Sequence, residues 1–253
     1  DYLLARENVD AVFVNGTNSI HIEIGGKVLN TEMKLNEKQV GFILNNIYAL
    51  SGCKDDKRNN ISNYRVKEIN GIKVGLLGYT YGLNGYNLPE DKPWLIDLID
   101  KDKIKQDMEE ISKISDVQIV SMHWGQEYNT SITEEQDQLA NYLNELGAEV
   151  IIGHHPHVIE PAEIISTENQ DTLVYYSLGN FLSAQDSAEG MVGGMASFTL
   201  NYDFDTQKTT FDDVKFIPTI TYYDSNYYNF KTMTIHEYND EFAASHCVTA
   251  NGI

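Results

Sequence analysis

Positive charge is scarce in this sequence. Eighteen Lys and Arg face 38 Asp and Glu, a formal net charge of -20 over 253 residues. Nucleic-acid binding rests on clustered basic side chains that release counterions, so no nucleic-acid partner is expected. An anionic membrane surface is disfavoured by the same field. An anionic substrate would need a local positive charge, such as a metal ion, to hold it. Cysteine is equally sparse. Cys53 and Cys247 stand far apart without metal-type spacing. One disulfide and two separate thiols both remain open, and the compartment is not set by cysteine usage. No apolar run approaches the roughly 20 residues that cross a bilayer, and no signal peptide is visible. The chain opens on "DYLLARENVDAVFVN", which reads as the middle of a domain. A truncated or processed chain is expected, in which a missing anchor does not argue for the cytoplasm. Familiar catalytic templates are missing too. There is no G-x-S-x-G elbow, and the Gly-rich "GYTYGLNGY" lacks the Lys and the helix of a phosphate loop.

What is present is an ordinary apolar fraction, 42%, enough for a sizeable core without disulfides. "VDAVFVNG" (9–16) reads as a short strand. Residues 36–52 read as a helix, capped by Asn36 and stopped by Gly52. "YRVKEINGIKVGLLGYT" is a hairpin signal, with Asn70-Gly71 suited to a type I′ turn. Residues 102–115 carry apolar side chains at 104, 108, 111 and 114, near helical spacing. "DVQIVSMHWG" follows as a buried strand. A helix over 133–147 opens on a capping box, Thr133 with Gln136, and "AEVIIGH" is the next buried strand. Alternating helix and apolar strand is the pattern of an α/β core with parallel strands. After about residue 165 the pattern becomes strand on strand, which predicts a second sheet or additions to the first. No linker divides the chain, so one domain over 1–253 is expected.

Ligand sites of open α/β sheets lie at the carboxyl ends of the strands. Three of the seven histidines crowd such an end in "IIGHHPHV", and His123 in "SMHWGQEY" sits at another. In an extended segment residues two apart share a side, so His155 and His157 are expected to reach one site while His154 points elsewhere. Pro156 between them stiffens the backbone. Neutral imidazoles suit Zn, Mn, Fe or Ni, with carboxylate and amide oxygens completing the shell. Glu127 is either a carboxylate that orients a ligand histidine or a solvated loop charge. Asn180, in "YYSLGNF", either donates to a substrate or closes a turn. His21, His236 and His246 are isolated, and the last two are expected in solvent. The tyrosines of "TITYYDSNYYNF" (219–230) are expected in packing.

Taken in order, "INGIKVGLLGYTYGLNGYNLPEDKPWLIDLID", "IVSMHWGQEY", "GAEVIIGHHPHVIEP" and "YYSLGNF" resemble the bacterial CapA family. These are poly-γ-glutamate capsule biosynthesis proteins, related in fold to calcineurin-like metallophosphoesterases. The resemblance covers about residues 64–200. It implies a four-layer α/β/β/α sandwich with a site for a divalent metal, Mn, Zn or Fe, as one ion or two. It implies His123, His155 and His157 as metal ligands and Asn18 as a fourth. The place filled by His154 is variable in this pattern, which agrees with its reading as a hydrogen-bonded neighbour; Glu127 and Asn180 keep the supporting or substrate-facing roles weighed above. The N-terminal G-D-x-M strand and N-x-E segment of the family have no counterpart here, so the sandwich is expected to lack its first strands. In "VNGTNSIH" (14–21) Ser19 stands where the family has a general-acid histidine, which leaves His21 as the candidate for that role. The resemblance further implies an anionic polymer or phosphoester substrate, capsule-synthesis membrane proteins as partners, and an extracellular or membrane-associated place at the bacterial cell surface. Three functions stay open: a metal-dependent hydrolase or transferase, a non-catalytic envelope binding or assembly protein, and a general phosphoesterase.

Overall fold

The computed structural model describes residues 11–15, 19–24 and 27–30 as backbone strands, and residues 64–90, 93–168 and 170–250. The chain divides into two compact units, Asp1–Ile61 and Ser62–Ile253. In the first, β1 (Ala11–Asn15), β2 (Ser19–Ile24) and β3 (Lys27–Asn30) form an antiparallel meander. The helix expected over 36–52 and Cys53 lie outside the described residues.

The second unit begins with a hairpin of β4 (Arg65–Ile69) and β5 (Ile72–Thr80). Its turn has positive φ at both Asn70 (52°) and Gly71 (86°), as a type I′ turn requires. Then come α1 (Lys101–Ile111), β6 (Val117–His123), α2 (Glu134–Glu145), β7 (Val150–His154), β8 (Ala162–Ser166) and β9 (Asp171–Tyr175). The six strands form one sheet in the order β4-β5-β6-β7-β9-β8. The inner four run parallel and the two edge strands antiparallel. A second sheet, entirely antiparallel, joins β10 (Val192–Asp203), β11 (Lys208–Tyr222) and β12 (Lys231–Thr234). The mixed α/β class and the second sheet agree with the sequence pattern.

Both crossover helices bury a regular stripe. Ile104, Met108 and Ile111 of α1 are fully buried, each contributing about 2 kcal/mol of apolar transfer. The helix starts at Asp100, whose carboxylate accepts from the Lys103 amide. On α2, Leu139, Ala140 and Leu143 face the same core, and Thr133 with Gln136 forms the full capping box. These side chains meet Leu77 and Tyr79 of β5, Val120 and Met122 of β6, Ile151 of β7 and Val174 of β9. Trp124 and Tyr176 extend the cluster to the carboxyl end of the sheet. The Trp124 indole N–H donates to the Tyr176 carbonyl at 2.9 Å. Gly153 makes that contact fit: a Cβ there would lie 1.8 Å from the Tyr176 oxygen.

Two short helices, α3 (Ala188–Met191) and α4 (Asp240–Ser245), flank the second sheet. Tyr222 and Tyr223 are buried, in agreement with the packing role expected of this aromatic run, whereas Tyr227 and Tyr228, in the turn that follows, are exposed and correct that expectation for the rest of the run. His236 is exposed, as expected. His246 is not. It is 3% exposed, and its Nδ1 lies 2.8 Å from the Tyr238 hydroxyl. The expectation of a solvated His246 is corrected by Tyr222, the last residue of β11, and Tyr223 just beyond it, which close over it.

Candidate functional site

Three parallel strands end at one place. In register, Thr80 of β5 pairs with His123 of β6, and His123 with His154 of β7. The chain past each end is held by its neighbour. The Tyr81 amide donates to the His123 carbonyl at 2.9 Å, and the Trp124 amide to the His154 carbonyl at 3.0 Å. The next residues, 155–157, bend away from β7. The Tyr128 amide fastens this bend by donating to the Pro156 carbonyl at 2.8 Å.

The bend changes the reason why His155 and His157 share a site. Alternation in an extended segment was the expectation. The structure instead puts both at positive φ, 104° for His155 and 62° for His157, around Pro156. Such backbone costs on the order of 1–3 kcal/mol at a non-glycine residue and persists where surrounding contacts impose it. The outcome is nevertheless a cluster. The His123 and His155 rings lie 4.9 Å apart and those of His155 and His157 6.4 Å apart. All four histidines, 123, 154, 155 and 157, are half-buried.

Two tyrosines that sequence reasoning passed over complete the cluster. The Tyr81 ring lies 4.3 Å from His155 and 5.9 Å from His123. The Tyr128 ring stacks on His157 at 6.0 Å. Tyr81 was legible only as part of a Gly-rich stretch, and Tyr128 as the end of "HWGQEY". The signal that would have found them is their place just beyond strands β5 and β6, where sheet ligands collect.

Asn180 has a defined task here. Its Oδ1 lies 2.8 Å from His157 Nδ1. Its Nδ2 donates to the carbonyls of His157 (3.1 Å) and Gly190 (2.7 Å) and to Gln185 Oε1 (3.2 Å). An amide oxygen only accepts, so His157 Nδ1 is the donor, and the neutral ring carries its lone pair on Nε2. Gly193 lets β10 come this close, since a Cβ there would lie 2.1 Å from the Asn180 carbonyl oxygen.

Electrostatics keep the ligand form available. Burial lowers the pKa of His123, and the charges of His155, His154 and His157 lower it further, against Glu127. Burial lowers His155 as well, with Glu127 opposing and His157 adding to the shift. Burial alone lowers His154. Glu127 is exposed and acts on His123 and His155 through space. Behind the bend, Glu160 is buried, accepts from Gln136 Nε2 at 2.6 Å, and has a pKa raised to about 7 by burial against that hydrogen bond. This ties the histidine segment to the capping box of α2.

His21 lies on β2, opposite Phe13 and Asn30 in register. Asn18 lies outside the described residues. Among the described residues, no group of three or more His, Cys, Asp or Glu side chains forms a finished ion site. One pair has a ring spacing compatible with a single ion. Two imidazoles that ligate through nitrogens at about 2.1 Å have ring centres about 5 Å apart at ordinary angles. His123 and His155 meet that spacing. His155 and His157 exceed it.

Comparison with known proteins adds the following. Residues 49–185, more than half of the chain, match the family model described as bacterial capsule synthesis protein PGA_cap. A PGA biosynthesis protein CapA of Bacillus subtilis (strain 168) is 30% identical over 180 residues, 71% of this chain and 44% of that protein. A capsule biosynthesis protein CapA of Bacillus anthracis is 30% identical over 133 residues, 49% of this chain and 30% of that protein. The chain thus spans less than half the length of these curated relatives. Among solved structures, a putative 5′-nucleotidase from Staphylococcus aureus in complex with alpha-ketoglutarate aligns with a TM-score of 0.40 at 17% identity, over 64% of this chain and 30% of that one.

Proposed function

This chain belongs to the bacterial capsule synthesis protein family, and from that premise we propose that it serves poly-γ-glutamate capsule biosynthesis at the bacterial cell surface. In this reading its strand-end histidine cluster binds a divalent cation and works on an anionic polymer or phosphoester. The observation that carries the reading is the pair His123 and His155. Their rings stand 4.9 Å apart at the ends of adjacent parallel strands, with pKa values lowered chiefly by burial. A bound divalent cation supplies Lewis acidity and the local positive charge that a protein of net charge -20 otherwise lacks.

The chain's own residues do the positioning. His123 and His155 hold the ion, with Tyr81 packed on both rings. His157 stands 6.4 Å from His155, a spacing that suits a neighbouring ion or an anionic group of the substrate. Asn180 holds the His157 ring through Nδ1, which leaves the lone pair of the neutral ring on Nε2. Glu127 adds negative charge on the open side. Capsule-synthesis proteins of the membrane are the partners this role calls for.

Calorimetric titration of the full chain with Mn and Zn tests the reading. Micromolar binding is expected, reduced at least about tenfold by His155→Ala. Because the His123 and His155 pKa values lie below the ordinary histidine range, affinity should persist to lower pH than a pair of ordinary histidines would allow, and fall in more acid solution. No divalent binding at micromolar concentration would overturn the metal site. The chain would then be an envelope binding or assembly subunit.

A further inference from the structure

One buried side chain meets both loops that carry the histidines. Gln136 stands in the first turn of α2 and is fully buried. Its Oε1 accepts from the Thr133 amide at 2.8 Å and from the Thr133 hydroxyl at 3.0 Å, which completes the capping box. The amide donor fixes which end of the carboxamide is oxygen, so the other end is Nε2. That end donates to Glu160 Oε2 at 2.6 Å. Glu160 is 5% exposed and follows His157 in the loop that leaves β7. The same carboxamide also meets Gly125, in the loop that leaves β6 after His123. A Cβ at Gly125 would lie 2.7 Å from Gln136 Cδ and Nε2, and Gly125 has a φ of 83°. The two loops thus rest on one amide group.

The residue type carries information. Helix N-termini favour acidic side chains, and the rest of this turn follows the rule with Glu134, Glu135 and Asp137. Of the two side chains that complete a capping box, Glu accepts from the cap as Gln does, but Gln alone also donates. Position 136 uses both abilities. Its partner is as particular. Glu160 places a carboxyl inside the protein, with Oε1 buried and without a hydrogen-bond partner. Such burial opposes folding, and an apolar side chain would fill the space without it. What the carboxyl adds is a directed link between α2 and the histidine bend.

We infer that Gln136 and Glu160 are positioning residues of the histidine cluster. Their bridge sets the separation of the two loops, and with it the 4.9 Å spacing of the His123 and His155 rings. Both act through the loops and not on a ligand. The use of that spacing to hold a cation rests on the proposed function. The brace itself rests on the buried contacts.

A swap of the two residue types tests it. Gln136→Glu keeps an acceptor for Thr133 but sets a second carboxyl against Glu160, so the cap stays and the bridge is lost. Adding Glu160→Gln returns a donor to the bridge from the opposite side. The first readout is proton–nitrogen correlation NMR of the histidine rings in the full chain, with a chelator present. The His123 and His155 signals should move in Gln136→Glu and return in the double variant. Mn and Zn affinity should fall about tenfold in the single variant and recover in the double one. A loss of stability alone would leave the ring signals of the folded chain in place. Glu160→Met removes the acceptor and leaves an apolar chain of similar length. It should move the same signals, and it decides the matter if Gln136→Glu does not fold. Ring signals unchanged in the single variants, or still displaced in the double variant, overturn the brace. The metal-free signals separate the two ideas. Signals that move in a protein whose wild type binds no cation sink only the metal reading, and cation binding with unmoved ring signals sinks only the brace.

Discussion

The two ends of the parallel sheet are built on opposite terms. At the amino end, among the described residues, the buried polar side chains around β7 and β9 are matched to neighbours. Glu149 accepts from the Gln118 amide at 2.6 Å. Thr172 donates to the Ala148 carbonyl at 2.6 Å and accepts from Asn144 Nδ2 at 2.7 Å. Gln170 Nε2 donates to the carbonyls of Ala148 (2.9 Å) and Asn144 (3.1 Å). At the carboxyl end two histidines sit on strained backbone, their rings half-buried, and Glu160 Oε1 is buried without a hydrogen-bond partner. A closed network has nothing left to offer a ligand and serves stability. An open one keeps lone pairs in reserve, at some cost in stability, and can bind.

The comparison has a limit that one substitution exposes. The open end rests on a rigid floor, and Gly153→Ala breaks it. The added Cβ would lie 1.8 Å from the Tyr176 carbonyl oxygen and 2.6 Å from Trp124 Nε1. Neither backbone nor a buried indole can yield cheaply, so a loss of about 3 kcal/mol is expected in urea denaturation. A loss under about 1 kcal/mol would mean that the carboxyl end is soft throughout.

Each end also holds one buried carboxyl with a pKa raised to about 7, Glu149 at the closed end and Glu160 at the open end. Burial is the leading cause of both. The folded state then keeps these protons where the unfolded chain has released them. The favourable contribution of each is complete below the unfolded pKa near 4.5 and is lost as pH rises to about 7. The contribution of each group should fall with rising pH across that window, by at most about 1.4 kcal/mol per pH unit. His123, His154, His155 and His246, whose pKa values burial lowers, act in the opposite sense over part of the same range, so the test is the difference between variant and wild type. Glu149→Gln and Glu160→Gln should each make the slope between pH 4.5 and 7 less negative or more positive, and a slope unchanged by either substitution would contradict the burial of that carboxyl.

Local signals made much of this fold legible. The 104/108/111 part of the first helix's stripe, the Thr133–Gln136 capping box and the Asn70-Gly71 turn each depend on a few adjacent residues, and each stands where the sequence puts it, whereas the helix stops at Ile111 and leaves the expected fourth position, Ile114, exposed. The site was legible in its membership and not in its geometry. His155 and His157 were paired on the basis of extended alternation, yet the chain bends there. Contacts from Tyr128 and Asn180, 27 or more and 23 or more positions away in sequence, impose the bend. Tyr81 meets His155 only because β5 and β7 flank β6, a fact of sheet order that no short motif contains. His246 failed for the same reason. An isolated histidine reads as solvated until the distant Tyr222 and Tyr223 are seen to cover it.

The finest test sets one residue type against itself across the sheet. Asn144 at the closed end and Asn180 at the open end each spend a side-chain amide on buried or half-buried partners. Asn144→Ala removes the donor to Thr172 inside a fully buried network, so it should cost about 2 kcal/mol of stability. It lies at the opposite end from the histidines, so cation affinity should not move. Asn180→Ala works the other way. Its hydrogen bonds are only part-buried, and water can replace them, so the stability cost should stay at about 1 kcal/mol. The His157 ring, however, loses the oxygen that fixes its tautomer and its direction. If His157 takes part in the proposed cation site, affinity should drop about tenfold, the usual weight of a group that orients a ligand. Denaturation and calorimetry on the two variants give four numbers, and the expected pattern is crossed. Large stability loss with unchanged binding belongs to Asn144, and small loss with weakened binding to Asn180. If Asn180→Ala binds as the wild type does, His157 is no ligand, and the open end is left with the His123–His155 pair as its one cation-binding element among the described residues.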